Sequence, residues 1–263
     1  MMNETENCPL AIRNYVSKLP EREKVAQIFL INVPGNEEFS KESDLNEGIA
    51  PGGILFFKFN LQDDEEKITH FTNSIKTYYS SCGKMVPYLA VDHEGGRVNR
   101  LDSVSSNFPS QQTVAKYFSL DDASSLYEDQ AKMLKKIGFD VNLAPVADIL
   151  TENNENFLGG RSFGSLDEVE IYGSVCVDSY LKRGVLPVLK HFPGNTNDDP
   201  HLGLPNLQAS NDEFYELEKP FFKILSKSKY SSAYSVTERI LHSWSEEKDS
   251  EKVEVLFEIG KME

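Results

Sequence analysis

The chain has 263 residues, of which 39% are hydrophobic and 11% aromatic, so it can bury a sizeable core as one large α/β domain or two small ones. Its 42 acidic residues outnumber its 27 basic residues and give a formal charge of −15, which excludes the basic face that nucleic-acid binding requires. Its three widely spaced cysteines exclude a disulfide framework and a CxxC metal site, and they favour a reducing compartment.

Short apolar runs rich in β-branched residues recur along the chain, and turn residues follow each of them. These runs begin at Gln27, Gly52, Pro87, Val141, Val185 and, more weakly, Tyr230. Between them lie segments of helical period, among them Glu65 to Ser81, Leu120 to Gly138 and Leu166 to Gly184. The alternation predicts βα units around a parallel sheet. No internal repeat or Pro/Ser-rich hinge divides the chain, so we expect one domain followed by a charged tail over residues 245–263.

Polar residues stand where the apolar runs end. They are Asp92, His93 and Glu94 after the third run, Asp148 after the fourth, and Lys190 and His191 within the end of the fifth. Because parallel strands end at one rim of the sheet, we expect a concave polar site there.

The segment Val91 to Leu101 combines an acid at a strand end, a Gly-Gly turn and an arginine at position 100. Asp92 and Arg100 could hold a polyhydroxylated ligand by charge-assisted hydrogen bonds, or they could form a structural ion pair around the turn. A second arginine, Arg161, lies in the glycine-rich segment Gly159 to Gly164. That segment could cradle phosphate, although it lacks the Lys-Ser/Thr pair of a P-loop.

The segment Lys190 to Pro205 carries two histidines and two aspartates. Asp199 stands two residues before His201, so its carboxylate could orient the imidazole and raise its pKa, as a general acid/base needs. Two alternatives remain open. His201 could be a surface residue without a role, or His191, Asp199 and His201 could together ligate a divalent metal ion.

Eight motifs in this order resemble the family 3 glycoside hydrolases, specifically the bacterial β-N-acetylglucosaminidases that act in cell-wall muropeptide (peptidoglycan) recycling. The motifs are EKVAQIFLINVPG, GGILFF, AVDHEGGRVNRL, FPS, GFDVNLAPVADI, GRSFG, LPVLKHFPG and D-x-H-x-x-LP, and they extend from about Leu19 to Leu225. The resemblance implies a (β/α) TIM-type barrel over residues 1–244. It also implies retaining hydrolysis of terminal β-linked N-acetylglucosamine with no metal or organic cofactor.

The resemblance implies roles for seven residues. The substrate-binding positions of the family are matched by Asp92, Arg100, Arg161, Lys190 and His191. The dyad that serves as general acid/base is matched by Asp199 and His201, although Pro200 stands where the family usually has Ser.

Two features depart from the family pattern near the end of the chain. No S-D-D-like motif, which carries the nucleophile in the family, follows Leu225. The six runs begin about 41 residues apart, so eight units would need on the order of 350 residues, beyond the roughly 250 typical of this fold. We therefore expect an incomplete barrel of about six of eight units, whose open edge favours self-association. The alternative to catalysis is an inactive sugar-binding relative.

The N-terminal segment lacks a basic region followed by an apolar one, and no stretch approaches the roughly 18 apolar residues of a spanning helix. We therefore expect a cytoplasmic protein that contacts neither membrane nor nucleic acid. Its expected partner is a small carbohydrate that contains N-acetylglucosamine.

Overall fold

The computed structural model describes residues 10–41, 43–44, 49–105, 107–194 and 211–227. The strands in these ranges are β1 (Leu30–Ile31), β2 (Gly53–Phe56), β3 (Tyr88–Val91), β4 (His93–Gly95), β5 (Val98–Asn99), β6 (Val141–Asn142) and β7 (Leu186–Pro187). The α-helices are α1 (Leu10–Lys18), α2 (Glu21–Ala26), α3 (Glu65–Ser81), α4 (Gln111–Tyr117), α5 (Leu120–Ile137), α6 (Glu155–Leu158), α7 (Leu166–Lys182) and α8 (Asn211–Lys227).

Five of the strands form one parallel sheet in the order β1-β2-β3-β6-β7, so its spatial order follows the chain. Helices α3, α5 and α7 each connect one strand to its neighbour. β4 and β5 form a separate antiparallel pair just after β3. The first five predicted strand regions are confirmed, and the sixth, at Tyr230, lies outside the described residues, as does the predicted tail.

The three predicted helices form close to their expected bounds because their ends carry capping residues. Asp64 accepts a hydrogen bond from the backbone N–H of Lys67 and begins α3. α5 ends at Gly138, whose φ of 106° is the left-handed cap that its position predicts. α7 ends one residue earlier than expected, with Arg183 as its C-cap, and Gly184 follows with a φ of 72°.

The two faces of the sheet carry different apolar clusters. Ile54, Phe56 and Val91 belong to the large cluster that includes the buried residues of α3, α5 and α7. Ala90, Val141 and Val188 form a second, small cluster with partly buried side chains such as Leu55. Because successive side chains of a strand alternate between faces, the second cluster marks the face opposite the helices.

A parallel sheet in chain order with its helices on one face is the wall of a (β/α) barrel, so the predicted fold class is confirmed. The small cluster lies on the barrel's inner face. No helix within the described ranges has both the length and the apolar character needed to cross a bilayer.

Candidate active site

Six polar side chains meet at the carboxyl ends of β3, β6 and β7. They are Asp92 and Glu94 after β3, Asp148 after β6, Lys190 and His191 after β7, and Arg161 from the 3-10 turn Gly159–Arg161. A parallel bridge between Val146 and Lys190 extends the pairing of β6 with β7 beyond the strands and brings Asp148 close to Lys190 and His191. We call this group the rim cluster.

Glu94 is the buried centre of the rim cluster, with 1% of its side chain exposed. Arg161 donates to it through two nitrogens, Nε to Oε2 and Nη2 to Oε1, both at 2.9 Å. Lys190 Nζ lies 2.6 Å from Oε1. Burial alone would raise the pKa of Glu94, but the charge of Lys190 and the hydrogen bond from Arg161 outweigh it and lower that pKa to about 2. Glu94 is therefore an anion that positions the two cations.

Lys190 also joins Glu94 to Asp92. Its Nζ donates to Asp92 Oδ1 at 2.6 Å. Asp92 is more exposed than Glu94, with 20% of its side chain accessible. Its Oδ2 makes no hydrogen bond within the described ranges, so this oxygen can accept one from a ligand hydroxyl.

His191 is held by two partners that fix its tautomer. Its Nδ1 lies 2.7 Å from Asp148 Oδ2, and its Nε2 lies 3.1 Å from Arg161 Nη2. Because a guanidinium can only donate, Nε2 accepts from Arg161 and Nδ1–H donates to the buried Asp148. Both ring nitrogens are thereby engaged, and neither is left for proton transfer.

An aromatic side chain supports the charged groups from the α6 segment. The Phe157 ring meets His191 edge-on at 6.1 Å, and the Arg161 guanidinium lies 5.3 Å from the ring centroid. Arg97, in the turn between β4 and β5, donates to the carbonyl oxygens of Phe157 and Leu158. The β4–β5 pair thus anchors the segment that delivers Arg161.

Four of the seven predicted site residues meet in the rim cluster, namely Asp92, Arg161, Lys190 and His191. Arg100 does not join them: it is half-buried, and its buried Nε has no hydrogen-bond partner within the described ranges. The predicted alternative of a structural Asp92–Arg100 ion pair is wrong, because Asp92 pairs with Lys190. Asp199 and His201 lie outside the described residues.

Two members of the cluster, Glu94 and Asp148, are not among the seven predicted site residues, although both stand at strand ends in the sequence. Asp148 carries the same sequence signal as Asp92, an acid directly after an apolar run, and Glu94 follows Asp92 by two residues. No cluster of three metal-ligating side chains occurs within the described part of the chain. Of the predicted metal ligands only His191 is described, and Arg161 and Asp148 already occupy its two nitrogens.

We expect acid to destabilise the fold through a buried histidine. Burial lowers the pKa of His93 from 6.5 to about 4, and both its ring nitrogens lack hydrogen-bond partners within the described residues. The stability that neutral His93 contributes is complete above pH 6.5 and is lost as the pH falls towards 4. Urea unfolding across this range should show a smaller decline in His93→Gln than in the parent chain. Equal declines would contradict the expectation.

The same series extended below pH 4.5 tests Glu94. Its pKa lies below the ordinary 4.5, so its contribution is present above pH 4.5 and is lost as the pH falls towards 2. The free energy of unfolding of His93→Gln should still fall below pH 4.5, so the contribution of Glu94 can be measured apart from that of His93.

A chain-ordered parallel sheet with a charged cluster at its carboxyl rim defines the class of this protein: a (β/α)-barrel domain with its site at the strand ends. The family model "Glycosyl hydrolase family 3 N terminal domain" matches residues 21–235, and the chain belongs to this family. This confirms the resemblance seen in the sequence motifs.

Individual relatives agree with the family match. The chain is 30% identical over 189 residues to beta-hexosaminidase LpqI of Mycobacterium tuberculosis, covering 70% of this chain and 46% of that protein. It is 30% identical over 193 residues to beta-hexosaminidase A of Pseudoalteromonas piscicida, covering 67% and 31%. It therefore spans less than half the length of both relatives.

Solved structures agree as well. NagZ from Neisseria gonorrhoeae in complex with N-trifluoroacetyl-D-glucosamine is 26% identical with a TM-score of 0.65, covering 75% of this chain and 60% of that chain. A family 3 β-N-acetylglucosaminidase from Paenibacillus sp. is 23% identical with a TM-score of 0.72, covering 80% and 40%, and supports the fold.

Proposed function

We propose that this chain hydrolyses terminal β-linked N-acetylglucosamine from cell-wall-derived or other glycosides. The observation that carries the proposal is the rim cluster, which presents one carboxylate oxygen and two oriented cations at the strand ends of a family 3 domain. Relatives named beta-hexosaminidase, and a related structure that holds an N-acylated glucosamine, support this substrate class. A cytoplasmic location and a role in peptidoglycan recycling stay predictions from the sequence.

The rim cluster suits a neutral, hydroxyl-rich ligand. Asp92 Oδ2 accepts a hydrogen bond from a sugar hydroxyl. Lys190 and Arg161 use some of their N–H groups within the cluster, and their remaining N–H groups donate to sugar oxygens. The fixed guanidinium plane of Arg161 gives these bonds direction. Arg100 is proposed to join them when the sugar is bound.

The proposed acid/base is His201, oriented by Asp199. His201 protonates the leaving oxygen as the glycosidic bond breaks and then takes a proton from the attacking water. His191 does not take this part, because Arg161 and Asp148 occupy its two nitrogens. A retaining reaction also needs a nucleophile, which the sequence motifs do not assign.

The unassigned nucleophile favours a second candidate, a sugar-binding domain without turnover. Both candidates require the rim cluster to bind N-acetylglucosamine, and only the first requires His201. Binding and hydrolysis measured on the same sample therefore decide between them.

The test combines calorimetric titration of the purified full chain with N-acetylglucosamine and hydrolysis of 4-nitrophenyl N-acetyl-β-D-glucosaminide. We expect binding and nitrophenol release. Asp92→Asn should weaken binding about tenfold or more, because it removes a charged hydrogen-bond acceptor. The exposed Asp129→Asn serves as the matched control and should change neither readout. Binding without turnover selects the second candidate, and the absence of both contradicts both candidates.

A further inference from the structure

Two exposed phenylalanines stack on each other directly after β2. The rings of Phe57 and Phe59 lie 6.0 Å apart between centroids with an interplanar angle of 20°. Phe57 is 38% exposed and Phe59 is 59% exposed. Each ring presents apolar surface to solvent that folding would normally bury.

The register of the sheet places this pair beside the rim cluster. Phe56 pairs with Val91, so Phe57 and Asp92 are the next residues of two adjacent parallel strands, whose backbones lie about 4.8 Å apart in a sheet. Phe57 continues the extended backbone, with φ −99° and ψ 172°. Alternation therefore puts it on the same inner face as Leu55, opposite the helix-facing Phe56.

A buried amide holds the turn that carries the aromatic pair. Asn60 is fully buried, and its Oδ1 accepts from the backbone N–H of Phe57 at 3.0 Å and from Asn32 Nδ2 at 2.8 Å. Its Nδ2 donates to the carbonyl oxygens of Val33 and Gly35. These four hydrogen bonds of the Asn60 amide hold the backbone of the turn in place, so the two exposed rings are attached to an ordered segment.

An exposed ion pair lies on the other side of the same turn. Lys58, between the two aromatic residues, pairs with Asp102, which follows β5 by three residues. The turn thus contacts the segment that follows the hairpin carrying Glu94 and Arg97. The aromatic pair and the rim cluster belong to one connected piece of structure.

We propose that Phe57 and Phe59 form a stacking surface for the second sugar ring of a β-linked saccharide whose terminal ring occupies the rim cluster. The proposal rests on the proposed function and adds the side chains that contact the leaving sugar of such a substrate. In β-linked sugars of the gluco series the hydroxyls are equatorial, so the ring faces present C–H groups and are apolar. Such a face can cover an aromatic ring while its hydroxyls stay in water.

The test compares affinities for N-acetylglucosamine and for N,N′-diacetylchitobiose by calorimetry. It uses the full chain with His201→Ala as the background of every variant, so that the proposed hydrolysis does not consume the disaccharide during the titration. We expect the disaccharide to bind more tightly than the monosaccharide. Phe59→Ala should lower the ratio of the two affinities by about threefold to tenfold. Tyr117→Ala removes an aromatic ring that is 71% exposed on α4 and should leave the ratio unchanged. Thermal unfolding and circular dichroism of Phe59→Ala establish that the variant is folded.

Equal affinities for the two sugars, or an unchanged ratio in folded Phe59→Ala, would overturn the stacking surface and leave the proposed function standing. Absence of binding for both sugars would overturn the proposed function and the stacking surface together. Light scattering tests whether a second copy of the chain covers the aromatic pair instead. If the parent chain is a dimer, and if Phe59→Ala dissociates it without changing the ratio of the two sugar affinities, the pair serves self-association and the stacking surface is overturned.

Discussion

Replacing Arg161 by methionine should lower the free energy of unfolding by about 3 kcal/mol, because it removes a partner from a buried carboxylate. Glu94 is nearly inaccessible and receives two hydrogen bonds from Arg161. Lys190 still contacts Glu94 in the variant, which places the expected loss at the lower end of the range for a broken buried pair. Urea denaturation at neutral pH measures the change.

The reason for the loss can be checked by removing the charge that is left behind. In the background of Glu94→Gln, Arg161→Met should be much less destabilising, so the two losses should not add. The exposed pair of Lys132 and Asp129 provides the matched control, since Lys132→Met should change stability by no more than about 0.5 kcal/mol. A loss below 1 kcal/mol for Arg161→Met would show that Lys190 alone neutralises Glu94.

Replacing His201 by alanine should lower kcat for 4-nitrophenyl N-acetyl-β-D-glucosaminide by about 10²- to 10⁴-fold, the usual contribution of a general acid/base. The affinity for N-acetylglucosamine should change little, because the proposed role of His201 is proton transfer. Asp199→Asn should lower kcat less and shift the pH dependence of kcat, since the carboxylate is proposed to raise the pKa of the imidazole. Steady-state kinetics from pH 5 to 9, taken with calorimetric titration, separate these effects.

His70→Ala is the control for this prediction. His70 is exposed on α3 and pairs with Glu38, so its removal should leave kcat unchanged. Turnover in His201→Ala that equals the parent would assign the acid/base to another group. Equal loss in both histidine variants would point to a general structural defect.

The local features of the fold were predictable because they depend on residues close in sequence. The bounds of α3 follow from the acidic first turn and the apolar period between Glu65 and Ser81. The first five strands follow from their apolar, β-branched runs and the turns after them. The exact strand lengths were not predictable, since β1, β6 and β7 each keep only two paired residues.

The sequence predicts which residues lie at the site, and it does not predict which of their side chains bind each other. Asp92, Lys190 and His191 stand out because they lie at the ends of apolar runs, where the functional residues of a parallel sheet gather. Glu94 stands two residues after Asp92 in the sequence, and it becomes the buried centre only because Arg161 reaches it from 67 residues away. The link between Asp148 and His191 likewise depends on the bridge from Val146 to Lys190, which no local pattern encodes.

The pairing within the rim cluster also sets the sign of its charge. Its three carboxylates, on Asp92, Glu94 and Asp148, outnumber its two permanent cations, on Arg161 and Lys190. Such a balance repels a phosphate ester, so the glycine-rich segment around Arg161 is poorly suited to cradle one. In the proposed hydrolysis it would favour the positive charge that grows on the anomeric carbon in an oxocarbenium-like transition state. The excess of carboxylates therefore suits a reaction centre that becomes positive better than a ligand that carries a phosphate.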